Sequence, residues 1–62
     1  MKRKEFVRYL NSNNCILHRN GSKHDIYKNL ISNKKTTIPR HPTIDDMLCR
    51  EICKQLGIPK IK

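Results

Sequence analysis

Three short stretches in the middle of the chain are separated by turn-forming residues, and this spacing constrains the fold most. Residues 15–19 have branched apolar side chains at their centre and precede Asn20-Gly21, the pair most favoured in a type I′ hairpin turn. Residues 23–30 alternate in polarity and lead to a second turn at Ser32-Asn33. Residues 34–38 follow. The spacing predicts three antiparallel strands.

Helical patterns flank the predicted strands. In residues 4–13, Phe6, Tyr9 and Leu10 lie at i, i+3 and i+4, and Asn14 closes a Ser-Asn-Asn stop that tolerates the left-handed conformation. Residues 43–57 predict a second helix that Thr43 caps, with Asp45 and Asp46 in its first turn and Gly57 after its end. Its apolar stripe is predicted to be Ile44, Leu48, Ile52 and Leu56.

Helix, three strands and helix together predict an α+β fold over residues 1–62, which we interpret as a single domain. We expect an antiparallel three-stranded sheet with two helices on one face and the other face left to solvent.

The charge of the chain indicates the kind of partner. Lys and Arg total 14 against 5 Asp and Glu, a formal net charge of +9, concentrated in the first two thirds of the sequence. Such a field favours a polyanion, above all nucleic acid, although solubility alone or an acidic protein partner would also account for it. With no apolar run of about 18 residues, no membrane partner is expected, and Glu5, Arg8 and Asn11 interrupt any export signal.

Two motifs occur together at the ends of predicted strands. Gly21-Ser22-Lys23-His24 follows the first strand, and Ile38-Pro39-Arg40-His41-Pro42 precedes the last helix. With Lys54-Gln55-Leu56-Gly57, they resemble the HicA family of toxins from bacterial toxin–antitoxin modules. The resemblance implies a double-stranded-RNA-binding-domain-like α-β-β-β-α fold. It also implies metal-independent endoribonuclease activity on mRNA, and inhibition by a HicB-like antitoxin protein.

The resemblance assigns the catalytic role to His24, the last residue of the Gly-Ser-x-His motif. Histidine suits metal-free RNA cleavage because its ordinary pKa lies near neutrality. Alternation places His24 on the same side as Ile26, which we predict to be the helix-covered side, although its position near the strand end lets it reach solvent. A histidine with a structural role is the alternative.

Further candidates surround this motif. His41 is a possible second acid or base because two prolines fix its loop, and Tyr27 is expected either to stack on a base or to cover the open face of the sheet. The residues predicted to bind RNA are Gly21, Ser22, Lys23, Lys28, Lys35 and Arg40. Ordinary solvated lysines are the alternative. For Gly21, a positive φ in the hairpin turn is the structural role, and uncovered N–H groups for a phosphate are the functional one.

Three cysteines and three histidines raise the question of a zinc site. Cys49 and Cys53 lie one helical turn apart beside the apolar stripe, where cysteine acts as a small hydrophobe. Cys15 and His18 lie three positions apart in a strand, so their side chains are expected to point to opposite faces. We therefore expect no metal or other cofactor, and free thiols in a reducing cytoplasm.

The sequence thus predicts an mRNA-cleaving toxin that uses His24. A non-catalytic RNA-binding module of the same fold is the alternative, and a small basic interaction protein is a third interpretation. We expect the antitoxin to present acidic residues to the surface around His24, Lys35 and Arg40.

Overall fold

The computed structural model describes residues 1–61, and they fold in the predicted order of helix, three strands and helix. The elements are α1 (Arg3–Ser12), β1 (Cys15–Asn20), β2 (His24–Asn29), β3 (Lys35–Pro39) and α2 (Asp46–Leu56). The predicted α+β class and α-β-β-β-α order are confirmed, and each predicted boundary of a helix or strand lies within a few residues of the observed one.

The three strands form one antiparallel sheet in the order β1-β2-β3, with β2 at its centre. Residues paired directly across an antiparallel ladder point to the same face of the sheet. Ile26 pairs with Arg19 and Thr37, and Lys28 pairs with Ile16 and Lys35. These side chains therefore share one face, which we call the open face. Both helices cover the opposite face.

The core lies between the helices and the covered face of the sheet. It is formed by Phe6 and Leu10 of α1, by residues of the sheet, and by the buried side of α2; its members are Phe6, Leu10, Cys15, Tyr27, Ile38, Ile44, Cys49, Ile52, Cys53 and Leu56. Among residues 1–61, no buried side-chain nitrogen or oxygen lacks a hydrogen-bond partner. The small core is therefore closed without an unsatisfied polar atom.

The prediction of which face of β2 is buried was wrong. Ile26 and His24 do share a face, but it is the open one, and Tyr27 is only 6% exposed in the core. Tyr27 therefore neither stacks on a base nor covers the open face. The face that holds Tyr27 is covered because the residues two positions away on the same face contact the helices. Asp25 accepts from Arg3 of α1, and the Asn29 amide donates to the Leu56 carbonyl of α2 at 2.8 Å.

Asn29 explains how a polar residue comes to be buried. Its Nδ2 group donates to the last carbonyl of α2, and its Oδ1 accepts from the backbone N–H groups of Ile31 and Ser32 in the next turn. Asn33 completes this turn in the left-handed region (φ 64°), as Asn14 does after α1 (φ 65°). The predicted stop at Ser12-Asn13-Asn14 and the predicted turn at Ser32-Asn33 are thus confirmed.

The start and the buried side of α2 differ from prediction. Asp45, not Thr43, is the N-cap, and its carboxylate accepts from the Met47 N–H at 3.1 Å. Leu48 is 41% exposed, whereas Cys49 and Cys53 are buried beside Ile52 and Leu56. Ile44 lies before the helix, and the buried side within α2 follows the i, i+3, i+4, i+7 spacing that starts at Cys49, which leaves Leu48 off this side. Gly57 ends the helix at φ 71° as expected.

A short pairing at the beginning of the chain explains why Thr43 does not cap α2. Lys2 and Thr43 form an antiparallel bridge, the Arg3 N–H donates to the Pro42 carbonyl at 2.9 Å, and the Ile44 N–H donates to the Met1 carbonyl at 2.8 Å. Thr43 therefore has extended backbone in a two-stranded contact. No helix within residues 1–61 has the length and apolar character needed to cross a membrane.

The buried thiols generate a prediction. Burial raises the pKa of both Cys15 and Cys49, and all three cysteines are free and at most 1% exposed. Because the thiolate is the reactive form, we expect very slow alkylation of the native protein by iodoacetamide at pH 8 and reaction of three thiols in urea. An Asn11→Cys variant, which adds an exposed thiol on α1, is the control. Rapid alkylation of Cys15 or Cys49 in the native protein would show that these thiols are not buried.

Candidate nucleic-acid interface

The open face of the sheet carries a group of basic side chains, which we call the basic face. It consists of His18, Arg19, His24, Lys28 and Lys35, contributed by all three strands. Strand alternation and register bring together residues that lie up to 17 positions apart in the sequence. The face is an exposed surface of the kind that tracks a polymer backbone.

The acidic side chains lie elsewhere. Glu5 belongs to α1; Asp45, Asp46 and Glu51 belong to the start and exposed side of α2. Asp25 is on the covered face of β2, where its side chain is 13% exposed. Among residues 1–61, the open face therefore has no carboxylate. Its cations, Arg19, Lys28 and Lys35, therefore attract an anion without a carboxylate of residues 1–61 beside them.

His24 is exposed at the first position of β2, beside the turn that joins β1 and β2. Its backbone is held on both sides: the Gly21 N–H donates to the His24 carbonyl at 2.7 Å, and His24 pairs with Pro39 of β3. The backbone is thus fixed while the imidazole stays open to solvent. This arrangement suits a side chain that must meet a macromolecule and exchange a proton with it.

Gly21 is required for a reason other than the predicted one. Gly57 is the glycine with positive φ, and the tip of the hairpin turn is Ser22-Lys23 rather than Asn20-Gly21. A Cβ at position 21 would lie 2.5 Å from the His24 carbonyl oxygen, closer than atoms can pack. Glycine therefore permits the close approach that places His24. Its N–H is already donated to His24, so this group is not free for a phosphate.

Asp25 organises the backbone around His24 from the covered side. Its carboxylate accepts from Arg3 Nη2 at 2.8 Å and from Arg40 Nε at 2.9 Å. The same arginines also hold backbone carbonyls: Arg3 Nε donates to Pro39 at 2.9 Å, and Arg40 donates to Gly21. The two backbone partners of His24, Gly21 and Pro39, are thus both connected to one carboxylate through these arginines. Sequence reasoning assigned Asp25 no role, because a single acid in a basic segment gives no sign of its partners.

The hydrogen bonds to Asp25 and Gly21 limit how Arg40 can bind a phosphate. Its side chain is 42% exposed, but its guanidinium is engaged by Asp25 and by the Gly21 carbonyl, so a phosphate would have to share it. His41 is exposed in the loop after β3, two positions beyond the residue that pairs with His24. The assignments of His41 as a second acid or base, and of Ser22, Lys23 and Arg40 as RNA contacts, stay predictions.

His18 points to the open face by strand alternation, because Leu17 before it pairs with Tyr27 on the covered face. The register shifts between Leu17 and Arg19, so His18 is an extra residue in β1 that the regular pairing does not use. Partial desolvation, followed by the positive charges of Lys35, Lys28 and Arg19, lowers the pKa of His18. Lys35 lies two strands away, so this influence acts across the open face. Lys28 and Lys35 come from other strands, so the sequence does not show this cluster, and His18 was considered in the sequence only as a weak zinc ligand.

The surface outside the basic face has two shallow features near α2. Two surface depressions lie beside α2, around Arg50, and neither includes a residue of the sheet. Among residues 1–61, no group of three His, Cys, Asp or Glu side chains is placed to hold a metal ion. The chemistry-bearing surface of these residues is the basic face.

Fold and surface together define a class: a small α-β-β-β-α protein whose open sheet carries exposed imidazoles among lysines. The family model described as the HicA toxin of bacterial toxin–antitoxin systems matches residues 3–58, nearly the whole chain. The chain belongs to this family of toxins, and the resemblance identified from its motifs is confirmed. Searches of curated proteins and of solved structures returned no significant match.

The Asp25 network generates a stability prediction. Asp25→Ala leaves two half-buried guanidinium groups without their acceptor, so we expect the free energy of unfolding to fall by about 2 kcal/mol. Asp46→Ala is the matched control, because that carboxylate is 71% exposed and its ion pair with the Met1 amino group should contribute less than about 1 kcal/mol. Urea denaturation followed by circular dichroism measures both. Equal losses in the two variants would show that Asp25 has no special role.

Proposed function

We propose that this toxin is a metal-independent endoribonuclease that cleaves mRNA in the cytoplasm, with residues 1–62 acting as one domain. The observation that carries the proposal is the position of His24. Its imidazole is exposed, its backbone is fixed by Gly21 and Pro39, and it shares with Lys28 and Lys35 a face on which residues 1–61 place no carboxylate. Membership of the HicA toxin family supports the same function.

The proposed reaction needs two proton transfers and no metal. One group removes the proton of a 2′-hydroxyl, whose oxygen attacks the adjacent phosphorus, and another group protonates the departing 5′-oxygen. An imidazole near neutral pH can serve in either transfer. The lysines bind the backbone phosphates and stabilise negative charge that develops on the phosphorus oxygens.

RNA binding and catalysis should be separable on this surface. Affinity arises from the summed charge of the basic face and should decrease steeply with salt, because phosphate binding releases counterions. Proton transfer depends on a single side chain. This distinction separates an endoribonuclease from a module that binds RNA without cutting it.

We expect His24→Gln to lower the cleavage rate by roughly 10²–10⁴-fold while changing RNA affinity less than about threefold. The substitution keeps a polar side chain of similar size at an exposed position. Purified protein is incubated with a defined RNA in excess EDTA, the new ends are mapped, and affinity is measured by fluorescence anisotropy. Wild-type protein that binds the RNA without cutting it would instead identify a non-catalytic RNA-binding module.

We further propose that an acidic, HicB-like antitoxin covers the basic face. The toxin family implies a cognate antitoxin, and the absence of carboxylates from the open face within residues 1–61 gives such a partner an uncompensated positive surface. A typical interface of about 800 Å² per partner would extend over much of a chain whose total accessible area is 4395 Å². Direct masking of His24 would then inhibit the toxin.

The masking proposal predicts a shared loss of binding. Replacing Lys28 and Lys35 by Glu should weaken RNA and antitoxin binding together, each by at least tenfold, because four units of charge change on the shared surface. Lys4→Glu with Lys60→Glu changes net charge equally on the helical side and should affect both much less. Isothermal titration calorimetry at two salt concentrations measures antitoxin binding. Unchanged antitoxin affinity with lost RNA affinity would place the antitoxin on another surface.

A further inference from the structure

Strand alternation and the bulge in β1 together place two consecutive residues, His18 and Arg19, on the open face. In the regular part of the sheet, Leu17 pairs with Tyr27 on the covered face, and Arg19 pairs with Ile26 on the open face. His18 is the additional residue between them, and it faces the same cations as the other members of the basic face. Two imidazoles, His18 and His24, therefore lie on one surface.

The separation of these two histidines suits a single phosphodiester. His24 lies two residues from Ile26 along β2, and His18 lies in the neighbouring strand just beyond the level of Ile26. With the usual strand spacing and rise per residue, their Cα atoms are about 10 Å apart. Both histidines are exposed, and side chains that lean toward each other across this distance can contact the same phosphate group.

The surroundings of His18 determine its protonation state. Arg19 of β1, Lys28 of β2 and Lys35 of β3 face it, and these cations, together with partial desolvation, lower the pKa of the imidazole. The helices lie on the other side of the sheet and contribute none of the groups that shift this pKa. These surroundings therefore favour the neutral form of His18, the form in which an imidazole accepts a proton.

We propose that His18 is the second proton-transfer residue of the site and acts as the general base, with His24 as the general acid. This inference rests on the proposed endoribonuclease function. The 2′-hydroxyl proton moves to His18, and the 2′-oxygen forms a bond to phosphorus. The bond from phosphorus to the 5′-oxygen breaks, and that oxygen takes a proton from His24. The products are a 2′,3′-cyclic phosphate and a 5′-hydroxyl, with no other reactant consumed.

The first test measures cleavage of a defined RNA in EDTA by His18→Gln and, for comparison, by His41→Gln. We expect the His18 variant to lose roughly 10²–10⁴-fold in rate with nearly unchanged RNA affinity, and the His41 variant to stay within about threefold of wild type. Added imidazole should restore part of the activity of His18→Ala, which a merely structural role would not allow. A His18→Gln variant that cleaves at near wild-type rate, or a larger loss in His41→Gln, would overturn the proposal.

The second test compares a titration of the free protein with the pH profile of RNA cleavage. The pKa of His18 is measured by NMR titration of its imidazole protons, assigned through the His18→Gln variant. Lys35→Gln should raise the pKa of His18 because it removes a nearby positive charge, and the acidic limb of the rate profile should move to higher pH with it. Lys34→Gln is the control with the same change in net charge. The Lys34 ammonium lies beside Gly57 at the end of α2, away from the basic face.

The two tests separate failure of this inference from failure of the proposed function. If wild-type protein cuts no RNA under any condition, the endoribonuclease proposal is refuted, and the role of His18 with it. If wild-type protein cuts RNA but the rate profile of Lys35→Gln stays in place while the pKa of His18 rises, the base is another group. Matching shifts in the pKa and in the acidic limb support His18 as the base.

Discussion

The carboxylate of Asp25 is the interaction on which the geometry of this small protein depends. Two arginines distant in sequence, Arg3 and Arg40, converge on it and also bind the carbonyls of Pro39 and Gly21. One partly buried charge thereby joins the start of α1, the hairpin turn and the end of β3. In a chain with few apolar residues, this network holds together elements that the core reaches only in part.

The same network separates structural charge from functional charge. Arg3 and Arg40 are the cations that face Asp25, whereas Lys28 and Lys35 on the open face have no acidic partner among the described residues. Unpaired cations on a surface repel one another and lower stability slightly, but they remain available to a polyanion. The protein thus uses its few acids to fix the backbone and keeps the basic face uncompensated.

Much of the fold could be predicted because local signals agree with one another. Asn14, Asn33 and Gly57 all adopt the left-handed conformation expected of turn and cap residues, and the order of elements follows from these breaks. The buried face of β2 could not be predicted from alternation, which gives two faces but does not identify the covered one. That choice depends on tertiary partners: Arg3 for Asp25, and the carbonyl of Leu56 for Asn29.

The candidate site, too, could be predicted from the sequence only in part. The Gly-Ser-x-His motif locates His24. Glycine is required at position 21 because a Cβ there would collide with the His24 carbonyl three residues away, and this contact exists only in the folded turn. His18 was missed as a member of this surface because the covered face of the sheet is determined by tertiary contacts that alternation does not show. Its neighbours Lys28 and Lys35 come from other strands.

The bulge also affects how the protein behaves beside other copies of itself. β1 is an edge strand, and its unpaired backbone groups offer a template to which another chain can add a strand. A regular partner strand would lose its register at His18, where two residues of β1 occupy the space of one. The opposite edge ends at Pro39, which has no N–H to donate. Both exposed edges are thus interrupted, which protects a chain with a small core against aggregation through its sheet.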